Sequence, residues 1–239
     1  MIPRQSSRTL QRLAKGFPVL AVTGPLQSGK TTLAVQDLSQ FHRFVRMCAA
    51  RSGQLLNLAT LGADCGISAV TARKWLSVLE ASYLVLRLPP YHRNFGKRLV
   101  KTPKLYFLDV GLMAWLLGIH DLATVETHSA RGALFETWVV SELVKWRFNA
   151  GLGADLFFWR DNVGQEVDVV LETAQGLQAI EIKSGATFAS DWPQAARKWA
   201  SLADTPTLPP LIVYGGTGRY ARQECEVSGW REFALALTT

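Results

Sequence analysis

The stretch EVDVVLETAQGLQAIEIKSG, residues 166–185, decides how the C-terminal half of this chain folds. Two runs rich in β-branched residues flank a turn at 174–176, a pattern that predicts a β-hairpin. In that hairpin Asp168 lies beside Glu181. Because side chains alternate along a strand, Glu181 also shares a strand face with Lys183. The stretch therefore predicts two carboxylates and an amine side by side.

The hairpin belongs to a longer series of predicted elements. A helix over 131–148 and a strand over 154–160 come before it. A helix starting at 190–191 and a strand over 211–216 come after it. The order of these elements is αβββαβ, and the predicted fold class is α+β or α/β.

A third carboxylate is predicted to join the hairpin. Glu136 lies on the first helix, on an apolar stripe formed by Val139, Val140 and Leu143. Strand alternation places Val167 and Val169 on the face opposite to Asp168. Converging carboxylates raise one another's pKa unless a cation is present, and hard cations such as Mg²⁺ or Mn²⁺ take oxygen ligands.

We therefore predict a Mg²⁺ or Mn²⁺ site with Glu136, Asp168 and Glu181 as ligands. Asp168, Glu181 and Lys183 would be its catalytic residues, and Lys183 would orient water or stabilise developing charge. The alternative is a solvated strand face on which Glu181 and Lys183 form an ordinary ion pair.

The middle of the chain predicts a winged helix. Two helices over 55–82 meet at Gly66, and two strand-like runs then flank a basic loop. The second helix, capped by Ser68, is expected to bury Val70 and to expose a basic face. The predicted nucleic-acid contacts are Thr71, Arg73 and Lys74 on this helix and Arg93, Lys97 and Arg98 in the loop. The alternative is a module used only for packing between domains.

The N-terminal segment contains a phosphate-loop motif. GPLQSGKT, residues 24–31, fits GxxxxGK[ST] between a predicted strand and a predicted helix. Backbone N–H groups of such a loop cradle phosphates, so ATP is the predicted ligand. No acidic strand follows to hold Mg²⁺, and ATP hydrolysis is therefore not expected. The predicted cofactor-binding residues are Gly24, Gly29, Lys30 and Thr31.

Charge and composition restrict the function class. Residues 1–102 carry 15 Lys and Arg against 3 Asp and Glu, whereas residues 103–239 carry 11 against 16. A basic half favours a polyanionic partner such as DNA. The three cysteines form no CxxC pair, no apolar run reaches about 20 residues, and the N-terminus lacks a signal-peptide pattern, so we expect a cytoplasmic protein without a membrane partner. The sequence is also compatible with a homo-oligomer.

Taken together, RGALFETWVVSEL, EVDVVLE, IEIKSG and the upstream KLYFLDVGL resemble one family of bacterial and archaeal ATP-binding proteins. That family combines an AAA-type domain, a winged helix and a C-terminal domain of unknown function (DUF4143-like) related to PD-(D/E)XK nucleases. Only six residues separate Ala34 from Phe41, where such a protein has most of its ATPase domain. The resemblance implies ATP binding for the family and nuclease-like roles for Glu136, Asp168, Glu181 and Lys183.

The predicted domains are therefore a phosphate-loop remnant (1–36), a helical linker with a winged helix-turn-helix (37–110) and a PD-(D/E)XK nuclease-like domain (111–239). The first functional hypothesis is a nucleic-acid-associated protein with metal-dependent phosphodiester hydrolysis. The second is a non-catalytic DNA- or protein-binding module. The third is an ATP-binding protein with a residual phosphate loop.

Overall fold

The computed structural model of the chain describes residues 38–91 and 100–238. The described residues fall into two compact units, one made of 38–48 and 57–85 and the other of 49–56, 86–91 and 100–238. Among the described helices, none combines the length and the apolar character that crossing a bilayer requires. Both helices and a mixed sheet are present, so the predicted α+β class is confirmed at this level.

The first unit is helical. Its helices are α1 (Leu38–Ala50, whose last two residues belong to the second unit), α2 (Leu58–Cys65) and α3 (Ala69–Ala81). Asn57 caps α2, and Gly66 ends it with a φ of 70°, a left-handed conformation that glycine adopts without strain. Ser68 then caps α3 by accepting a hydrogen bond from the Thr71 N–H. The predicted pair of helices joined at Gly66 is present.

The buried face of α3 differs from the prediction at one position. Val70 is exposed, whereas the buried residues of the helix are Ala72, Trp75, Leu76 and Leu79. Their spacing defines a single helical stripe, and Val70 lies outside that stripe in the first turn. Trp75 forms edge-to-face ring contacts with Phe41 and Phe44 of α1. These aromatic contacts pack α3 against α1 in the small core of the first unit.

The second unit holds most of the strands. Its elements, in chain order, are β1 (Gln54–Leu55), β2 (Val85–Leu88, which begins at the last residue of the first unit), β3 (Lys104–Phe107), α4 (Val110–Leu116), α5 (Leu122–Thr127), α6 (Arg131–Asn149), β4 (Leu156–Arg160), β5 (Glu166–Thr173), β6 (Gly176–Lys183), α7 (Gln194–Ala200), β7 (Leu211–Tyr214), β8 (Arg219–Arg222), β9 (Cys225–Gly229) and α8 (Trp230–Ala236).

Two sheets organise this unit. The smaller has the order β1-β3-β2, and the larger has the order β4-β5-β6-β7-β9-β8. Strands β4, β5 and β6 are antiparallel neighbours, and the chain then crosses over through α7 so that β7 runs parallel to β6. The predicted order αβββαβ from α6 to β7 is present. Strands β8 and β9 were not predicted.

Apolar side chains cover both faces of the larger sheet. Val139, Val140 and Leu143 of α6 share one buried cluster with Val169 and Ile180. On the other face, the buried cluster contains α7 residues together with residues of β4, β5 and β6, namely Ala196, Trp199, Trp159, Val167, Val170, Leu177 and Ala179. Strands β4, β5 and β6 are therefore buried on both faces, with the α6 cluster on one side and the α7 cluster on the other.

A β-bulge interrupts the alternation of β5 at Asp168. Phe157 pairs with Val170 but Trp159 pairs with Val167, so β5 has one more residue than β4 over this interval. Val167 and Val169 consequently pack into different clusters, and the prediction that both face away from Asp168 together was wrong. A bulge re-aims a side chain, and bulges are common beside active sites.

Candidate active site

Four carboxylates and two lysines of the second unit form one charged cluster, to which β3, α6, β5 and β6 contribute. Its members are Glu136, Glu166, Asp168, Glu181, Lys104 and Lys183. The predicted hairpin holds four of them, because β5 and β6 pair with Val169 opposite Ile180 and with Thr173 opposite Gly176. The cluster lies at the first residues of β5 and the last residues of β6.

Asp168, Glu181 and Lys183 are in direct contact, as predicted. The Lys183 Nζ donates to Glu181 Oε2 at 2.9 Å and lies 3.7 Å from Asp168 Oδ2. Asp168 Oδ2 also accepts a hydrogen bond of 2.8 Å from the Ile182 N–H. This bond fixes the carboxylate of the bulged residue against the backbone of β6, between the two residues that carry the other charges.

Glu181 is the most unusual group of the cluster. Only 2% of its surface is exposed, and its Oε1 has no hydrogen-bond partner within the described part of the chain. Burial, followed by repulsion from Asp168, raises the pKa of Glu181 from an ordinary 4.5 to about 8, although Lys183 acts in the opposite direction. A buried carboxylate oxygen without a partner is unfavourable, so a proton or a cation is expected there.

Glu136 meets the cluster through β3. Its Oε1 accepts a hydrogen bond of 2.5 Å from the Tyr106 hydroxyl and lies 3.2 Å from the Lys104 Nζ. Burial raises the pKa of Glu136, Lys104 lowers it, and Asp168 raises it again, with a net upward shift. The predicted acid of α6 is therefore within electrostatic range of the acid on β5.

Lys104 joins Glu136 to a carboxylate that sequence reasoning missed. Its ammonium also forms an ion pair with Glu166, whose other oxygen lies 3.2 Å from Arg160 Nη1. Lys104 itself is only 3% exposed. Burial lowers the pKa of Lys104, but Glu136, Glu166 and Asp168 outweigh that effect and raise it overall. The lysine is thus a permanently charged, buried partner of two acids.

The turn before β1 holds Glu136 in place. The Ser52 and Thr137 hydroxyls are hydrogen-bonded at 2.8 Å, and the Phe107 N–H donates to Ser52 Oγ at 3.0 Å. Gly53, with a φ of 83°, follows, and a Cβ added there would lie 3.4 Å from Glu136 Oε2. The turn, β3 and α6 are therefore tied together beside the carboxylate.

The predicted site residues have different outcomes. Asp168, Glu181 and Lys183 are brought together, and Glu136 joins them through electrostatic coupling. However, no three Asp, Glu, His or Cys side chains within 38–91 and 100–238 are gathered into a metal-ligand group as they stand. Lysines lie among the carboxylates instead. The Mg²⁺ or Mn²⁺ site stays a prediction.

The predicted nucleic-acid residues are described only in part. Arg73 and Lys74 are exposed on α3, whereas Thr71 is half-buried and its hydroxyl lies 3.0 Å from Ser68 Oγ. Arg93, Lys97 and Arg98 of the basic loop lie outside the described residues. The same is true of the phosphate-loop residues Gly24, Gly29, Lys30 and Thr31, so ATP binding stays a prediction.

Sequence reasoning missed Lys104, Tyr106 and Glu166. A signal for all three was available in strand alternation: Lys104 and Tyr106 are two residues apart in an apolar strand, and Glu166 is two residues before Asp168. Charged or hydroxyl-bearing residues on one face of a buried strand indicate partners nearby. Nothing in the sequence, however, indicates that β3 approaches α6 and β5.

Two family models match the chain. Residues 30–123 match the domain of unknown function DUF8612, and residues 131–233 match the domain of unknown function DUF4143. The DUF4143 part of the predicted resemblance is thereby confirmed, whereas its AAA-type ATP-binding part stays a prediction. The four carboxylates of the cluster and Lys183 lie within the second match, and Lys104 and Tyr106 lie within the first.

Two similar curated proteins are an uncharacterized protein of Mycobacterium bovis and an uncharacterized protein of Mycobacterium tuberculosis. Each is 31% identical over 210 residues, an alignment that covers 83% of this chain and 45% of the relative. The chain thus spans about half the length of the curated relatives it matches. No solved structure matches the chain.

Proposed function

We propose that the second unit is a metal-dependent phosphodiesterase of the PD-(D/E)XK nuclease type, acting on nucleic acid. The observation that carries this proposal is the unpartnered, buried Glu181 Oε1 beside Asp168 and Lys183. Carboxylate oxygens are the ligands that Mg²⁺ and Mn²⁺ prefer, and an oxygen that accepts no hydrogen bond is free to bind one. The donor set therefore fits a hard divalent cation.

Each residue has a distinct role in this proposal. Asp168 and Glu181 would hold the cation, with Glu136 as a further ligand. A divalent cation bound there would supply Lewis-acid chemistry to a phosphodiester. Lys183, whose ammonium is held by both acids, would orient the attacking water or stabilise charge developing on the phosphate. The Ile182 N–H keeps Asp168 oriented throughout, because its hydrogen bond does not depend on the cation.

The order of elements supports the same proposal. The resemblance stated above has the acid of the first helix first, then Asp168 and the Glu181-x-Lys183 pair, and then a helix and a strand. In the structure, α6 carries Glu136, β5 carries Asp168, and β6 ends with Glu181 and Lys183. A crossover through α7 to the parallel strand β7 completes the series.

Nuclease activity is tested with fluorescently labelled single- and double-stranded DNA and RNA in the presence of Mn²⁺. We expect cleavage that EDTA abolishes and that Asp168→Asn reduces about 100-fold, because the variant loses the anionic ligand while it keeps the side-chain size. Glu142→Gln is the matched control: it removes a carboxylate of α6 that pairs with Lys145 at the surface, and it should cleave normally. Absence of Mn²⁺-dependent cleavage by the unmodified protein would contradict the proposal.

A second candidate function, DNA binding by the first unit, is favoured by the exposed Arg73 and Lys74 of α3. The helix follows a turn with a capped start, an arrangement that can place its exposed face in a DNA major groove. Contacts from such residues to phosphates release counterions, so binding should weaken with salt.

The double variant Arg73→Ala/Lys74→Ala tests this candidate. Its affinity for duplex DNA, measured by fluorescence anisotropy, should fall. The slope of log affinity against log salt should drop by roughly 2, about 0.9 for each phosphate that the variant no longer neutralises. The control Lys198→Ala/Arg231→Ala removes the same charge from exposed positions of the second unit. If both variants bind DNA equally weakly, the effect is one of net charge and the helix does not touch the DNA.

A further inference from the structure

Lys104 is a buried cation in direct contact with Glu136, one of the carboxylates proposed as metal ligands. It comes from β3, which lies outside the DUF4143 match, and its ammonium is paired with Glu136 and Glu166. At 3% exposure it has almost no contact with bulk water. Its ammonium also lies over the Phe158 ring, 5.5 Å from the ring centre. Such a lysine is held in place by its partners and by packing.

An ammonium group and a divalent cation seek the same carboxylate oxygens. Glu136 Oε1 already accepts from Tyr106 and Lys104, so its remaining capacity for a further cation is small. Two positive charges at one carboxylate oxygen also repel each other strongly. Binding of a divalent cation at Glu136 Oε1 therefore competes with the Lys104 contact at the same oxygen.

We propose that Lys104 is a resident counter-ion of this site, which a divalent cation displaces from Glu136 Oε1 when that oxygen becomes its ligand. The identity of the incoming cation, Mg²⁺ or Mn²⁺, rests on the proposed function. The counter-ion role offers a reason why the described carboxylates are not gathered into a metal-ligand group. Glu166 would keep the displaced ammonium nearby through its own ion pair. The site would thus be held in a metal-free arrangement at low cation concentration.

Calorimetric titration of the whole protein with Mn²⁺ tests the proposal. Lys104→Met should bind Mn²⁺ about tenfold or more tightly than the unmodified protein, because a competing charge has left the buried site. Lys145→Met, which removes an exposed lysine of α6 and the same unit of charge, should leave the affinity unchanged. The double variant Lys104→Met/Glu136→Gln should lose the gain, because the freed ligand is then absent.

The outcomes separate this inference from the proposed function. If Lys104→Met binds Mn²⁺ and the unmodified protein does not, the counter-ion role is supported. The proposed metal-dependent activity of the unmodified protein is then contradicted. Equal or weaker binding by a folded Lys104→Met would overturn the counter-ion role and leave the proposed function intact. If that variant does not fold, Lys104→Gln is titrated in its place with the same expectation.

A measurement on the unmodified protein covers the case in which neither variant folds. Reductive methylation of Lys104, followed by peptide mass spectrometry, should become several-fold faster when Mg²⁺ is added. The displaced ammonium keeps only Glu166 as a partner, so a larger fraction of it is the reactive neutral amine. Lys145 supplies the internal reference in the same digest. A rate for Lys104 that Mg²⁺ leaves unchanged would overturn the proposal.

Discussion

Replacing Glu181 with glutamine should remove a loss of stability that the unmodified protein undergoes between about pH 5 and pH 9. The pKa of Glu181 is raised in the folded protein, by burial and then by Asp168, from 4.5 to about 8. Between these two values the folded state keeps a proton that the unfolded chain has released. The free energy of unfolding therefore falls as pH rises, by on the order of 5 kcal/mol in total, and the fall is complete once the pH is well above 8.

The measurement is the free energy of unfolding in urea at several pH values. Hydrogen exchange of the β6 amides is the readout, so that the measured free energy is that of the second unit. The difference in the free energy of unfolding between Glu181→Gln and the unmodified protein should grow with pH in favour of the variant. Glu226→Gln, which removes an exposed carboxylate paired with Arg219, should show no such trend. Parallel curves for Glu181→Gln and the unmodified protein would mean that Glu181 is ionised in the folded state at neutral pH.

Replacing Lys104 with methionine should destabilise the second unit by about 3–5 kcal/mol in the absence of divalent cations. Methionine fills the volume of the lysine stem but leaves Glu136 and Glu166, whose side chains are each 22% exposed, without their common partner. Removing one member of a buried ion pair has a large effect because the remaining charge stays desolvated. The measurement is the free energy of unfolding at pH 7 with EDTA present.

Two further variants identify the cause of that loss. Lys104→Met/Glu136→Gln should recover part of the stability, because one of the two acids that lost Lys104 is then neutral, while Glu166 keeps its contact with Arg160. Lys145→Met should change the stability by no more than about 0.5 kcal/mol, since its ion pair is at the surface. No recovery in the double variant would indicate that weaker packing, for example against Phe158, is the cause.

Sequence reasoning predicted the parts of the site that depend on local periodicity. Alternation along β6 places Glu181 next to Lys183, and the turn at 174–176 sets the register that brings Asp168 close to them. Helical spacing alone put Glu136 on a stripe with Val139 and Val140, both fully buried. These inferences hold because they depend on the side-chain periodicity within a single helix or hairpin and not on contacts with distant segments.

The remaining features depend on contacts between distant segments. Lys104 and Glu136 are separated by 32 residues, and no local pattern fixes that distance. The bulge at Asp168 follows from the pairing of β5 with β4, which the spacing of valines in β5 does not show. β8 was missed because its side chains are all exposed, as an edge strand allows, so it lacks the apolar alternation that predicts a strand.

Glu181 is buried beside the like charge of Asp168 and forms an ion pair with Lys183, and the proposed metal site depends on that placement. The most direct test is an NMR titration of the protein with ¹³C-labelled glutamate, in which the side-chain carboxyl of Glu181 is followed against pH. We predict that Glu181 titrates near pH 8 and that Asp168→Asn moves this pKa downward, because repulsion from Asp168 is removed. A Glu181 carboxyl that titrates near 4.5 and does not respond to Asp168→Asn would contradict the account.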